Sequence, residues 1–324
     1  MKFMKLATVV AVASITMATA AAAAPLKLRL GTGTPPKHVW SLAAERFSQK
    51  IEEATNGEVQ VAVFTSSQLG PESDLLQQMQ VGVIDMGVIS AAATSAKAPA
   101  FLAWFSPFAL SSVEETIEAS KTEVAQKILG ELKPLGIKGM GYVFAGMRHI
   151  LTTEGPVTGL ESLEGKKIRI TPFPGMQVWW KAAGAVPTPV QLGDTYQALN
   201  SGLLDGVDID LDALVAFSMQ QVAKNLTVTN HMAFPGVAML TEAAWAKMTE
   251  EQQKTFRKVM DESLAWAGEQ QVAAEKRNIT KLKAEMTVTD MENAKEAFSD
   301  ANAAFKDAFG DIPLVAEFQN TIGK

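Results

Sequence analysis

Arg169 is the residue in this chain best placed to do chemistry. It stands in Lys166–Thr171, where Ile168 and Ile170 alternate with Lys167, Arg169 and Thr171. A period of two puts the arginine on the face opposite the isoleucines. Pro172, Pro174 and Gly175 break the strand just beyond it. A guanidinium is a planar, permanently charged fork of donors that matches the two oxygens of a carboxylate. From the pattern alone, Arg169 is either such an anion clamp or an ordinary surface arginine of a strand.

Other candidate groups exclude more than they establish. Asp208-x-Asp210-x-Asp212 is spaced like the start of a calcium loop. Ala213 stands where that loop needs glycine, and Met219 where it needs glutamate. The plainer reading is a strand over Val207–Leu211 with an acidic face opposite Val207, Ile209 and Leu211. His38, His149 and His231 are the three histidines, and none sits in a metal-ligand spacing. There is no G-x-S-x-G elbow and no cysteine, so thiolate catalysis and thiolate metal sites are excluded. No metal and no cofactor is expected, and the chain reads as a binder rather than an enzyme.

The elements around Arg169 have a recognisable grammar. Gly165–Asp212 reads strand, helix, short extended piece framed by Pro187 and Pro189, helix from about Asp194 to Ser201, then strand. That is a lobe built on a wound α/β sheet, whose clefts lie at strand ends. The chain begins in the same way. Leu26, Leu28 and Leu30 alternate with Lys27 and Arg29, and Val39–Thr55 follows with apolar residues at helical spacing. Strand Val59–Phe64, a helix after Gly70 and strand Ile84–Ile89 complete a parallel β-α-β-α-β unit. Val113–Leu129 reads as one helix and Ile137–Phe144 as the strand closing this lobe. Leu226–Thr229 and Met232–Leu240 read as strands returning to the first lobe. Helices are expected over Glu250–Ala284, Met291–Phe309 and Ile312–Ile322. Trp179 and Trp180 point about 100° apart on their helix, so one of the two is expected to face the core or the cleft.

Charge and the first residues bound the setting. The first 24 residues read as an export signal: Lys2 and Lys5, an apolar Leu6–Ala18, then Ala20–Ala24. Cleavage is expected after Ala22 or Ala23; an uncleaved anchor is the alternative. Removing this segment takes the formal net charge from −6 to −8, since Lys2 and Lys5 are its charged residues. An acidic exported chain without a basic run is a poor partner for nucleic acid. Lys97 interrupts the most apolar later stretch, Ala91–Leu110, so no membrane insertion is expected after signal removal.

Gly165-Lys166-Lys167-Ile168-Arg169-Ile170, Gly184-Ala185-Val186-Pro187-Thr188-Pro189, Tyr196-Gln197-Ala198-Leu199 and Asp205-Gly206 together resemble the solute-binding proteins of TRAP transporters (tripartite, ATP-independent, periplasmic). Ser67-Gln68-Leu69-Gly70 and Gly82-Val83-Ile84-Asp85-Met86 extend the likeness over nearly all of the chain after residue 25. The resemblance implies a two-lobe periplasmic binding protein, type II-like, with a cleft between α/β lobes and long C-terminal helices. Residues 25–147 plus 234–275 would form the first lobe, and 148–233 plus 276–324 the second. It also implies a periplasmic location, a small carboxylate ligand, and delivery to the integral membrane subunits of an ion-driven transporter. Arg169 then takes the role of the carboxylate clamp, with Arg148 as a second arginine near the crossover. By the same alignment His38, Ser90, Phe173, Leu192 and Phe234 are ligand contacts, though each is equally readable as a packing or surface residue.

The Asp-Gly run bears on the ligand. Relatives that bind sugar acids follow Asp-Gly with a small residue, an acid and an asparagine. Here Asp208 keeps the acid and Ile209 replaces the asparagine. Isoleucine can neither donate nor accept a hydrogen bond. The expected ligand is therefore a monocarboxylate with an apolar or aromatic body, 2-oxo and 2-hydroxy acids included, rather than a sialic or uronic acid, with the cleft seeing either Ile209 or a neighbouring aspartate, not both. Two rival functions stay open: a binding protein for a different importer or a sensor, and a periplasmic enzyme on this scaffold.

Overall fold

The structure, a computed structural model, describes residues 24–322. The export signal expected over residues 1–24 lies outside them, Ala24 apart. The alternating leucines form β1 (Leu26–Thr32), with Leu28 and Leu30 buried. α1 (Val39–Ala54) begins where the His38 ring accepts the Trp40 N–H and caps the first turn. β2 (Val59–Phe64), α2 (Glu72–Gln80) and β3 (Met86–Ser90) follow, and β2 and β3 flank β1 in parallel. α3 (Ala91–Ser95) opens the aromatic stretch that ends near Phe108. The single helix expected over Val113–Leu129 is two, α4 (Val113–Ser120) and α5 (Glu123–Gly130). Thr122 interrupts it by accepting the Ala125 N–H and capping α5. β4 (Ile137–Met147) then leads out of the first lobe.

The second lobe holds β5 (His149–Thr152), β6 (Lys167–Ile170), α6 (Pro174–Ala182), β7 (Val186–Pro189), α7 (Thr195–Asn200), β8 (Gly206–Ile209), α8 (Leu211–Ala216) and β9 (Asn225–Val228). β9 pairs with β5, so Leu226–Thr229 stays in the second lobe instead of returning to the first. The return strand is β10 (Ala233–Thr241), which inserts antiparallel between β3 and β4. α9 (Glu242–Ala246) and α10 (Glu250–Glu285) come next. α10 opens with a capping box between Thr249 and Gln252 and, at 36 residues, spans about 54 Å. It packs on α1 and β4 of the first lobe and continues onto α8 of the second. β11 (Thr287–Asp290), α11 (Ala294–Ala297), α12 (Ser299–Phe309) and α13 (Pro313–Ile322) complete the chain.

Two sheets result, in the orders β2-β1-β3-β10-β4 and β11-β9-β5-β8-β6-β7. This is the expected α/β two-lobe architecture. The C-terminal range departs from the expected division. α12 packs on α6 of the second lobe, where the Trp179 indole N–H donates to Asn302 at 2.9 Å. α13 instead packs on the first lobe, with Phe318 4.8 Å from the Trp104 ring and Glu317 2.8 Å from Lys127. Both Trp179 and Trp180 are buried. α6 lies between its own sheet and α12, so two neighbouring faces of the helix are covered. Among the described residues no helix is long and apolar enough to cross a membrane.

Candidate ligand-binding cleft

The carboxyl ends of β1, β2, β3, β6 and β8 converge on a cavity of about 580 Å³ between the lobes. The first lobe contributes Thr34, His38, Trp40, Ser66, Ser67 and Glu72; the second contributes Arg169, Thr171, Leu192, Ile209, Asp210 and Phe217. Ala145, Arg148 and Phe234 line it where the chain crosses between lobes.

Arg169 is 2% exposed. Its Nε–H donates to the Val190 carbonyl at 2.8 Å, and Nη1 lies 3.5 Å from the Thr171 hydroxyl. Among the described residues no carboxylate lies within 4.0 Å of it. Burial, and then the charge of Arg148, lower its pKa to about 9, which leaves it charged at neutral pH. Asp208, Asp210 and Glu72 offset this at longer range, but a buried cation on a cavity wall that no carboxylate contacts is a site suited to an anion.

Arg148 is equally buried and fully engaged. Its guanidinium donates to the Asp208 carboxylate, to the Asp208 carbonyl, and to Asp210 at 3.0 Å. It also lies 4.3 Å from the centre of the Phe234 ring. Asp208 accepts further bonds from the Trp180 indole at 2.7 Å and from His231 Nε2 at 2.9 Å. Burial works against an ionised Asp208, but Arg148 and His231 hold its carboxyl below the usual carboxylate range. Burial raises Asp210 against the pull of Arg148 and His38. His149, buried beside this network, is lowered to about 3, first by burial and then by the charges of His231 and Arg148. It accepts the Thr229 and Asn230 backbone N–H groups at Nδ1, each at 3.4 Å.

The three aspartates do three separate jobs. Asp208 holds Arg148. Asp210 accepts the Ala213 N–H at 2.7 Å and caps α8. Asp212 reaches across the cleft to the Val39 N–H at 3.0 Å, beside His38 at 3.6 Å. β8 therefore ends at Ile209, and the expected strand through Leu211 does not form. Because the chain turns there, Ile209 and Asp210 both line the cavity, so the expected either-or between them does not hold. Among the described residues no three acids, histidines or cysteines converge as a metal-ligand set.

Of the anticipated site residues, Arg169, Arg148, His38, Leu192, Ile209 and Phe234 line the cavity, and Asp208, Ser90 and Phe173 do not. Asp208 lies behind Arg148. Ser90 caps α3 and donates its hydroxyl to Glu72 at 2.6 Å. Phe173 packs 4.5 Å from Phe105, behind the loop after β6. Glu72, Trp40 and Phe217 line the cavity without having been anticipated, and Asp210 lines it beside Ile209. Glu72 follows the loop at the carboxyl end of β2, and that position was the available signal. Burial raises its carboxyl, against two bonds from Ser90 and the charge of Arg169.

Residues 30–310 match the family described as bacterial extracellular solute-binding protein, family 7. The chain is 24% identical over 287 residues to the sialic acid-binding periplasmic protein SiaP of Vibrio cholerae, covering 87% of this chain and 85% of that one. It is 23% identical over 283 residues to the C4-dicarboxylate-binding periplasmic protein DctP of Shewanella loihica, covering 87% and 82%. Among solved structures, a TRAP periplasmic solute-binding protein of Xanthobacter autotrophicus with bound β-D-galacturonate superposes with a TM-score of 0.86 at 26% identity, over 91% of this chain and 98% of that one. The sugar acid-binding protein DctPAm of Advenella mimigardefordensis, in complex with galactonate, superposes with a TM-score of 0.88 at 19% identity, over 93% and 98%. With the two-lobe fold and a match across most of its length, the chain belongs to the bacterial extracellular solute-binding protein family 7, the solute-binding proteins of TRAP transporters.

Proposed function

We propose that this protein captures a small organic monocarboxylate between its lobes in the periplasm and delivers it to the integral membrane subunits of a TRAP-type transporter. One observation carries the reading: Arg169 is buried and lines the cavity, and among the described residues no carboxylate lies within 4.0 Å of it. An incoming carboxylate supplies the missing charge and can take two parallel hydrogen bonds from the fork. Relatives described as binding sialic acid, C4-dicarboxylates, galacturonate and galactonate share that group. The ligand stabilises the closed state by contacts that exist only when both lobes surround it. We assign the cleft no reaction, and a serving role for another importer or a sensor is the rival.

The body of the ligand is proposed to be largely apolar. Ile209, Ala213, Phe217 and Phe234 line the cavity, and hydroxyls left unpaired against such a wall lose about 1–3 kcal/mol each. Ser66, Ser67 and Glu72 on the first lobe favour a second reading, a sugar acid whose hydroxyls they would pair. A thermal-shift screen separates the two. Ligand at a hundredfold its Kd stabilises by about 2.7 kcal/mol, a readily measured shift. Branched or aromatic acids are expected to stabilise the protein and uronates are not. The opposite pattern would select the sugar acid, and no response to any acid would sink the carboxylate reading. Native mass spectrometry of freshly purified protein identifies retained cargo directly.

A further inference from the structure

His38 lines the cavity, yet both of its ring nitrogens are turned toward the protein. Nδ1 accepts the Trp40 N–H at 3.1 Å. A nitrogen that accepts carries no proton, so the ring proton sits on Nε2. Nε2 lies 3.6 Å from Oδ2 of Asp212, which belongs to the opposite lobe. The same oxygen accepts the Val39 N–H at 3.0 Å. The His38 ring is buried and meets the Trp40 ring edge-on at 5.4 Å. Neither nitrogen is left to address a bound molecule.

The sequence of α1 explains why it takes a carboxylate from elsewhere. The first N–H groups of a helix have no intrahelical partner and favour a nearby negative charge. α2, α4, α5 and α10 each carry an acid in their first turn, and α1 carries none. On the other lobe α8 is already capped by Asp210. Asp212 is therefore spare for its own helix, and it is not among the residues that line the cavity. An aspartate of the second lobe thus completes a helix of the first.

We propose that His38 and Asp212 form an interlobe latch, with His38 a positioning residue for closure and not a reader of the ligand. This departs from the ligand-contact role that the resemblance implies for His38. The Val39 bond and the Nε2 contact exist only when the lobes meet. They bias the equilibrium between open and closed protein and add nothing to the choice of ligand. The inference rests on the hinged closure proposed above and is independent of which acid the cleft holds.

The chain has no cysteine, so spin labels can be attached at Asp74→Cys and Gln197→Cys, exposed positions on α2 and α7 of opposite lobes. Pulsed electron spin resonance reads the distance between them in the free protein, with D-galacturonate and with 4-methylpentanoate. Wild type should show a short-distance component in at least one of these conditions. His38→Asp keeps a side chain that can cap α1 but sets two carboxylates against each other. It should lower the ratio of short to long component about two- to thirtyfold, the scale of one helix cap. His38→Asn can accept from Trp40 and still turn an N–H toward Asp212, so it should restore the wild-type ratio. Pairing His38→Asp with Asp212→Asn should recover most of the loss. Should His38→Asp not fold, Asp212→Ala, which leaves the His38 cap in place, carries the same expectation. If the short component survives His38→Asp unchanged, or if His38→Asn loses it as fully, the latch is refuted while hinged closure stands. If wild type shows one long distance in every condition, both fall.

Discussion

Arg148 and Arg169 are both buried and both line the cleft, yet the protein treats them oppositely. Arg148 is surrounded by its own anions, Asp208 and Asp210, and capped by the Phe234 ring. Arg169 receives one carbonyl and a long contact to a hydroxyl. A buried charge that the fold neutralises holds the fold together. A buried charge that the fold leaves without a counter-ion is stabilised by what comes from outside. On this view Arg148 positions the cleft and Arg169 binds in it.

The largest effect that can break this comparison is on stability. Arg148→Met leaves Asp208 and Asp210 buried without their cation, and should cost about 3–5 kcal/mol. Arg169→Met removes an unpaired buried cation and should leave the ligand-free protein as stable or more so. Denaturant unfolding of both variants measures this; equal losses would mean that Arg169 is structural as well.

A smaller effect sharpens the contrast between lobes. Asp212→Ala removes the bond that reaches from the second lobe to the start of α1. By analogy with a lost helix cap, the closed state should weaken by about 0.5–2 kcal/mol. Wild type should scatter with a smaller radius of gyration at ligand saturation than without ligand. The variant should need more ligand to reach the same value. An unchanged profile in wild type would contradict hinged closure.

A further effect depends on pH. Glu275 of α10 is half-buried, and its carboxylate stands where a Cβ on Gly146 would be, 2.1 Å from Oε1. Gly146 also holds φ +119, so glycine is required there on both counts. Burial first, and then the repulsion of Asp210 and Asp212, push Glu275 up from 4.5 to about 8. The folded state thus binds this proton more tightly than the unfolded chain. The stability it contributes is complete below about pH 4.5 and is lost as pH rises through about 8. Glu275→Gln should therefore gain in Tm relative to wild type as pH rises across that range, then level off. A difference in Tm that is constant with pH would refute the assignment.

Much of this was legible because alternation and helical spacing are strong where one face is buried. β1 and β6 follow their leucines and isoleucines; the alternation set Arg169 opposite the isoleucines, and its role as a clamp came from the resemblance, not from the strand. β11 escaped notice because it is an edge strand whose residues are half-buried or exposed, so no apolar face marks it. α8 escaped because Asp208, Asp210 and Asp212 keep a strand-like alternation after the strand has ended; only the turn at Ile209 makes Asp210 a cap. Trp40 reads as one more apolar residue on a helix, and its place on the cleft wall is a tertiary fact. Glu72 stands in the first turn of α2, where an acid is favourable for the helix alone, and its place on the cleft wall depends on how α2 meets β3.

The central claim is that Arg169 is the carboxylate clamp, and titration calorimetry of Arg169→Lys with the identified acid tests it most directly. Lysine keeps the charge and loses the bidentate fork. The account predicts an intact fold with affinity reduced about a hundred- to several-thousandfold, on the order of 3–5 kcal/mol. Affinity close to that of wild type would contradict it and remove Arg169 from the site.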